Sequence, residues 1–197
     1  MCIRDSMLSS PAVDDKSVYI GTYQGKVFSI DRKTGKENWT FKENDKPVFS
    51  SPVVSNGLAT FTSYDHHIYA VNIADGSIKW KHKTDGEIFS SPTVIGDTVY
   101  AGSNDSHLYA LKLDSGKMVW KSNLGGAVFS SPTATDHSIY VGSSDGHMYG
   151  LNRKDGSVRW KYEVGKDVKV WTSPVAIQGR LYFGSHAGDV IALREKP

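Results

Sequence analysis

The chain has 197 residues, 39% hydrophobic, 11% aromatic and 22% charged, which is a globular composition with enough bulky apolar surface for a core. Its 23 Lys and Arg nearly balance 21 Asp and Glu, giving a formal charge of +2, so nucleic acid and anionic membrane surfaces lose their main electrostatic argument. No apolar run reaches the roughly 20 residues of a spanning helix, and a lone Cys2 allows neither an intrachain disulfide nor a Cys-rich zinc site.

Met1–Ser6 share no landmark with the rest of the chain and read as a translated sequencing-adapter scar, leaving 7–197 as the folded segment. From there Ser-Pro pairs recur at Pro11, Pro52, Pro92, Pro132 and Pro174, spaced 41, 40, 40 and 42 residues. Trp39, Trp80, Trp120 and Trp160 each follow a proline by 28 residues, and Gly35, Gly76, Gly116 and Gly156 precede each Trp by four. Rare residues held in one register mark tandem repeats.

The third repeat shows the unit in chain order. Ser91–Ile95 leads to a turn at Gly96-Asp97, and Thr98–Gly102 to a turn at Asn104-Asp105-Ser106. His107–Leu113 leads to a turn at Asp114-Ser115-Gly116, and Met118–Lys121 closes the unit. Each run is short, rich in Val, Tyr and Trp, and bounded by turn residues, which predicts a four-stranded antiparallel meander, the size of one propeller blade. Proline cannot donate to a ladder, so the prolines are expected on the first strand, at the edge facing the central channel. Eighteen residues after each proline stands a small residue: Ser29, Ala70, Ala110, Gly150 or Ala192. That pairing of small residue and Trp predicts an indole packed on the backbone of the neighbouring blade, against its small position. Gly21, Gly102, Gly142 and Gly184 mark a second close approach; the second repeat carries Thr62 there and Thr60 in place of Tyr, predicting a looser contact.

The stretches 29–39, 70–80, 110–120 and 150–160 combine a small residue, Asp or Asn two places on, then Gly, then Trp at the eleventh place. They resemble the tryptophan-docking motif of the pyrroloquinoline-quinone-like, or quinoprotein-type, β-propeller family. Lys112 departs from it at the Asp/Asn place, and Thr62 at a glycine place. The resemblance implies an all-β ring of seven or eight blades. This chain, with four complete blades and three strands of a fifth, is then expected to be an open arc whose end blades invite self-association. Within the family the likeness is to the propellers of outer-membrane-assembly lipoproteins. It implies a non-catalytic scaffold presenting loops to a protein partner, in the periplasm or outside the cell. The competing implication is a fragment of a quinone-dependent dehydrogenase; a third is a sensor propeller of a signalling or carbohydrate-active protein. The family's enzymes carry calcium and an adjacent-cysteine disulfide at the quinone; this chain has no Cys pair, so no catalytic, cofactor-binding or metal residue is assigned, and PQQ and calcium belong to the enzyme alternative alone.

Asp65, Asp105 and Asp145 recur between strands two and three, where a side chain bonding to its own backbone explains them. His67, His107 and His147 occupy one place on three successive blades. Three readings compete there: a metal site, a partner or ligand contact, and a solvated turn. Blade-to-blade spacing exceeds what a metal's ligands, about 2.0–2.1 Å from one point, can bridge. The place shares a face with the inter-blade linkers, so the candidate partner-facing residues are His66, His67, Ser106, His107 and His147, with the linkers at Asp45–Lys46 and Asp85–Glu87. The linker Lys161–Val170, two residues longer than its counterparts and carrying Lys166, Asp167 and Lys169, is read as solvated.

Overall fold

Nineteen strands, all antiparallel to their sheet neighbours, make five consecutive sheets in a computed structural model that describes residues 6–7, 9–43, 45–165 and 167–194. The expectations for Met1–Asp5 and Lys166 lie outside the described residues. The first blade holds β1 (Ala12–Val13), β2 (Ser17–Gly21), β3 (Val27–Asp31) and β4 (Glu37–Phe41). The second holds β5 (Val53–Ser55), β6 (Leu58–Thr62), β7 (His67–Asn72) and β8 (Ile78–Lys83). The third holds β9 (Thr93–Ile95), β10 (Thr98–Gly102), β11 (His107–Lys112) and β12 (Met118–Asn123). The fourth holds β13 (Thr133–Ala134), β14 (Ser138–Gly142), β15 (His147–Asn152) and β16 (Val158–Glu163). The fifth has three strands: β17 (Val175–Ile177), β18 (Arg180–Gly184) and β19 (Val190–Arg194).

Local chemistry fixes the hairpins. Asn56-Gly57 and Gln178-Gly179 both hold positive φ at two successive residues, the type I′ geometry that matches strand twist. Each of the five repeat prolines, Pro11, Pro52, Pro92, Pro132 and Pro174, stands just before its first strand rather than within it, so it removes no ladder donor. In all four complete blades the fourth strand bulges against the third beside its Trp, between Ser29 and Ile30, Ala70 and Val71, Ala110 and Leu111, and Gly150 and Leu151. The residue left unpaired is Asn38, Lys79, Val119 or Arg159.

The core lies between blades. Each buried apolar cluster joins one blade to the next, from the first pair, Trp39 and Phe41 with Phe61 and Tyr69, to the last, Tyr140 and Met148 with Leu181 and Phe183. Among the described residues no cluster and no strand pairing joins the fifth blade to the first, so the propeller is an open arc.

The tryptophans make the joints. Trp39, Trp80 and Trp120 are nearly buried, and their indole N–H groups donate to the carbonyls of Ile73, Leu113 and Arg153 on the following blade at 2.8, 2.7 and 3.1 Å. Each ring lies flat on the next blade's turn glycine: a Cβ at Gly76, Gly116 or Gly156 would stand 2.7, 2.7 or 2.5 Å from it. The small residues belong to a different contact from the one the spacing suggests. Ser29, Ala70, Ala110 and Gly150 pair across the strand with the Trp of their own blade and give it room to lie down. Gly35 has nothing within 4 Å of where a Cβ would stand. Trp160 is half-buried against Tyr140 and lines a cleft of about 650 Å³ with Leu181 and Leu193.

The second repeat is joined differently, and not more loosely. Thr62 is fully buried, and its hydroxyl donates to Ser90 O of the next blade at 2.7 Å. Where Tyr19, Tyr100 and Tyr140 tilt against their blade's Trp, Thr60 brings only a buried hydroxyl that lacks a hydrogen-bond partner. Trp80 is as buried as Trp39 and Trp120 all the same.

The Ser-Ser-Pro triplets line the innermost strands with a second joint. In the first, second and fifth blades the first residue staples its own blade: Ser50 Oγ donates to Thr62 O and accepts Thr62 N–H, both at 2.8 Å, and Ser9 and Thr172 serve Gly21 and Gly184 the same way. The second residue reaches across. The N–H groups of Ser10, Ser51, Ser91 and Ser131 donate to the hydroxyls of Ser51, Ser91, Ser131 and Ser173 at 3.0, 2.8, 2.9 and 3.0 Å.

Two residues beyond each Trp, Phe41, His82, Ser122 and Tyr162 complete the blade contacts; His82 lies edge-on to Tyr109 at 5.8 Å. Burial holds the His82 imidazole below its ordinary 6.5, with Lys121 and His67 adding to the shift and a hydrogen bond to the Gly116 backbone opposing it. The unfolded chain therefore takes up a proton at His82 before the folded one does. Its contribution to stability is complete above pH 6.5 and is lost as pH falls through the folded value. His82→Phe, which copies Phe41, is expected to flatten the fall in melting temperature between neutral and mildly acidic pH; an unchanged slope counts against this role.

Candidate partner-binding face

First and third strands run parallel, so the linkers entering the blades and the turns between strands two and three share one face. Backbone bonds tie the two together. The N–H groups of Tyr23, Tyr64, Asn104, Ser144 and His186 donate to the carbonyls of Ser6, Pro47, Glu87, Ala127 and Lys169 at 2.8–3.0 Å.

The turns are built by the residues singled out from sequence. Gly25, His66, Ser106, Gly146 and Gly188 hold one left-handed place, φ 71–95°, that costs a non-glycine residue about 1–2 kcal/mol. His66 and Ser106 serve there through their carbonyls, which accept the N–H of Thr84 and Leu124 at 2.8 Å and so aim the outgoing linkers. The N–H groups of His67, His107 and His147 donate to Oδ1 of Asp65, Asp105 and Asp145 at 3.0, 3.0 and 3.1 Å. The other carboxylate oxygen accepts the hydroxyl of Tyr69, Tyr109 or Tyr149 at 2.5, 2.6 and 2.6 Å. Burial pushes the Asp105 carboxyl up, but the Tyr109 hydroxyl and the N–H groups of Asp85 and His107 outweigh it and hold it below the usual range. Burial and the carboxylate together push the Tyr109 phenol well up. Each imidazole stays beside its own aspartate, Nδ1 at 3.5, 3.3 and 3.2 Å, with only 22, 22 and 18% of its side chain exposed. The linker Asp85–Glu87 is pressed onto the same turn, with Asp85 N–H donating to Asp105 Oδ2 at 3.0 Å. Among the described residues no three His, Cys, Asp or Glu stand where they could hold a metal.

What this face presents to solvent is a row of rings that sequence reading missed. Phe49, Phe89, Phe129 and Trp171 each stand three residues before a repeat proline, one in each of the second to fifth blades, so the same ruler locates them. Phe49 stacks on Phe89 at 5.1 Å, Phe89 meets Phe129 at 5.3 Å, and Phe129 meets Trp171 at 5.5 Å. Tyr23 and Tyr64 flank Phe49 at 6.0 Å, and His186 lies 4.6 Å from Trp171, with Lys169 Nζ 5.1 Å from that indole. The three phenylalanines are half-buried, while Tyr23 is 51% and Trp171 38% exposed. The result is a continuous aromatic arc following the inner strands around one mouth of the channel.

Four-stranded blades, bulged at the Trp and docked on a neighbour's glycine, define the molecule as a β-propeller of the PQQ-like repeat class. The chain belongs to the family described as outer membrane protein assembly factor BamB, whose family model matches residues 4–103 and 86–196. It is 34% identical over 86 residues to the outer membrane protein assembly factor BamB of Xanthomonas campestris pv. campestris, covering 39% of this chain and 21% of that protein. The crystal structure of BamB from Moraxella catarrhalis superposes with a TM-score of 0.84 at 21% identity, covering 96% of this chain and 62% of that one. The computationally designed Ika8 protein gives the same TM-score at 16% identity, covering 94% of this chain and 57% of its own. The chain therefore spans a fifth of the curated relative and less than two thirds of either solved structure.

Proposed function

We propose that this propeller is a non-catalytic scaffold that holds a protein partner against the aromatic arc, in the assembly of outer-membrane proteins. The continuous row Phe49–Phe89–Phe129–Trp171 carries the reading. A rigid strip of rings with few rotatable bonds binds at low entropic cost, and the bonded turns beneath it hold the strip in place. The names of the family and its relatives supply the cellular setting. His66, His67, Ser106, His107 and His147 then act as the frame of the face rather than as its contacts. Exposed Val175, Ile177 and Val190 on the fifth blade provide the surface for any self-association.

The test is site-specific photo-crosslinking in cells. A benzophenone side chain at Phe89 or Phe129 is expected to give one discrete protein adduct, and the same group at Lys79 on the outer rim none. Adducts from the rim alone, or a PQQ-dependent absorbance and melting change with calcium present, would sink the proposal.

A further inference from the structure

The opposite face carries a second site. Turns between strands one and two and between strands three and four meet there, and between the third and fourth blades they enclose an open cleft of about 1020 Å³. Lys112, His137, Arg153, Lys154 and Arg159 line it, with Asp136 as the carboxylate among the lining residues. The molecule as a whole carries only +2. The walls add hydroxyls and an amide from Thr98, Thr135, Ser138 and Asn152.

The fold does not require these cations, and the repeats supply the control. In the third blade the places of His137, Arg153, Lys154 and Arg159 are taken by Asp97, Leu113, Asp114 and Val119. The structural duty at Arg153 belongs to its carbonyl, which accepts Trp120 Nε1–H as Leu113 O accepts that of Trp80. Its guanidinium reaches Thr135 O at 3.2 Å, along the cleft wall. Arg159 is the bulged residue of β16, a position that re-aims a side chain; it donates to Ser138 Oγ at 2.6 Å. Lys112 replaces the turn-capping acceptor of the first and fourth repeats. Asp31 Oδ1 accepts two turn N–H groups and Asn152 Oδ1 accepts Lys154 N–H, which an ammonium cannot do. The third blade has given up its cap and gained a cation, partnered by Asp97 at 2.7 Å, at the mouth of the same cleft.

We propose that this cleft binds a phosphoryl group, borne either by a soluble phosphate or by a lipid headgroup. The Arg153 guanidinium and the Lys154 ammonium, with Arg159 and the Asp97-paired Lys112 beside them, match a dianion having three acceptor oxygens.

The test is titration of the whole chain with sodium phosphate and sodium pyrophosphate by calorimetry, alongside co-sedimentation with phosphatidylcholine vesicles with and without phosphatidylglycerol. Saturable binding of the soluble anions supports a soluble ligand. Association with the phosphatidylglycerol vesicles alone supports the headgroup. In either case Arg153→Leu with Lys154→Asp, which installs the third blade's own residues, is expected to weaken binding at least about tenfold without shifting the melting temperature. Should that pair unfold, Arg159→Val provides the same comparison. Lys112→Asn is expected to weaken binding while raising the melting temperature, because it restores the cap. Absence of binding to every probe overturns the proposal, as does undiminished binding by the variants. An equal loss on Lys79→Gln with Lys81→Gln, exposed lysines of the second blade, overturns it too.

Discussion

Replacing Trp120 by Ala is expected to cost about 3–5 kcal/mol, a large part of the roughly 5–15 kcal/mol that holds an ordinary domain together. The indole is 8% exposed, lies on Gly156 and donates to Arg153 O, so truncation opens a cavity between two blades and leaves a half-buried carbonyl without its donor. Trp80→Ala is expected to behave alike. Trp160→Ala, at a half-buried ring facing the three-stranded fifth blade, is expected to cost clearly less. Chemical denaturation of the three variants measures the series. A Trp120→Ala protein as stable as the parent would contradict the joint as described.

Gly116→Ala and Gly35→Ala separate docking from backbone strain. The two glycines hold the same conformation, φ +67° and +68°, so a methyl group costs each about 1–2 kcal/mol for the left-handed region. At Gly35 nothing stands within 4 Å of that methyl, whereas at Gly116 it would meet the Trp80 ring at 2.7 Å. Overpacking there adds about 1–3 kcal/mol. The difference between the two measured losses is the docking contribution, and equal losses would show that the indole moves aside freely.

Much of this architecture is legible from spacing. Short runs between turn residues give the strands, and the recurrence of Pro, Gly and Trp gives the blades and their number. Spacing does not say which of two neighbours a residue serves. It assigns Ser29 and Ala70 to the adjacent blade, yet they face their own Trp, because third and fourth strands pair across a bulge that periodicity does not reveal. The histidines stand out as a recurring polar residue, but their role is set by an aspartate two places earlier and a tyrosine two places later, which cover most of each ring. Phe49, Phe89 and Phe129 escape notice for the opposite reason: a recurring apolar residue looks like core until the sheet shows it standing at an open mouth. Thr62 reads as a lost glycine contact because a hydroxyl's reach to Ser90 O depends on the twist between blades.

The serine joints bear on how such a chain came to be. Ser51, Ser91 and Ser131 each give their N–H to the next blade and receive one from the blade before, so each of these three units carries both halves of one connector. Unequal recombination between neighbouring repeats of the gene would insert or delete a whole blade with its couplings already matched at both ends. Copy number can then drift without new interfaces having to be invented. Individual copies are left to diverge where the connector makes no demand, as Leu113 and Arg153 have done at one place in the repeat.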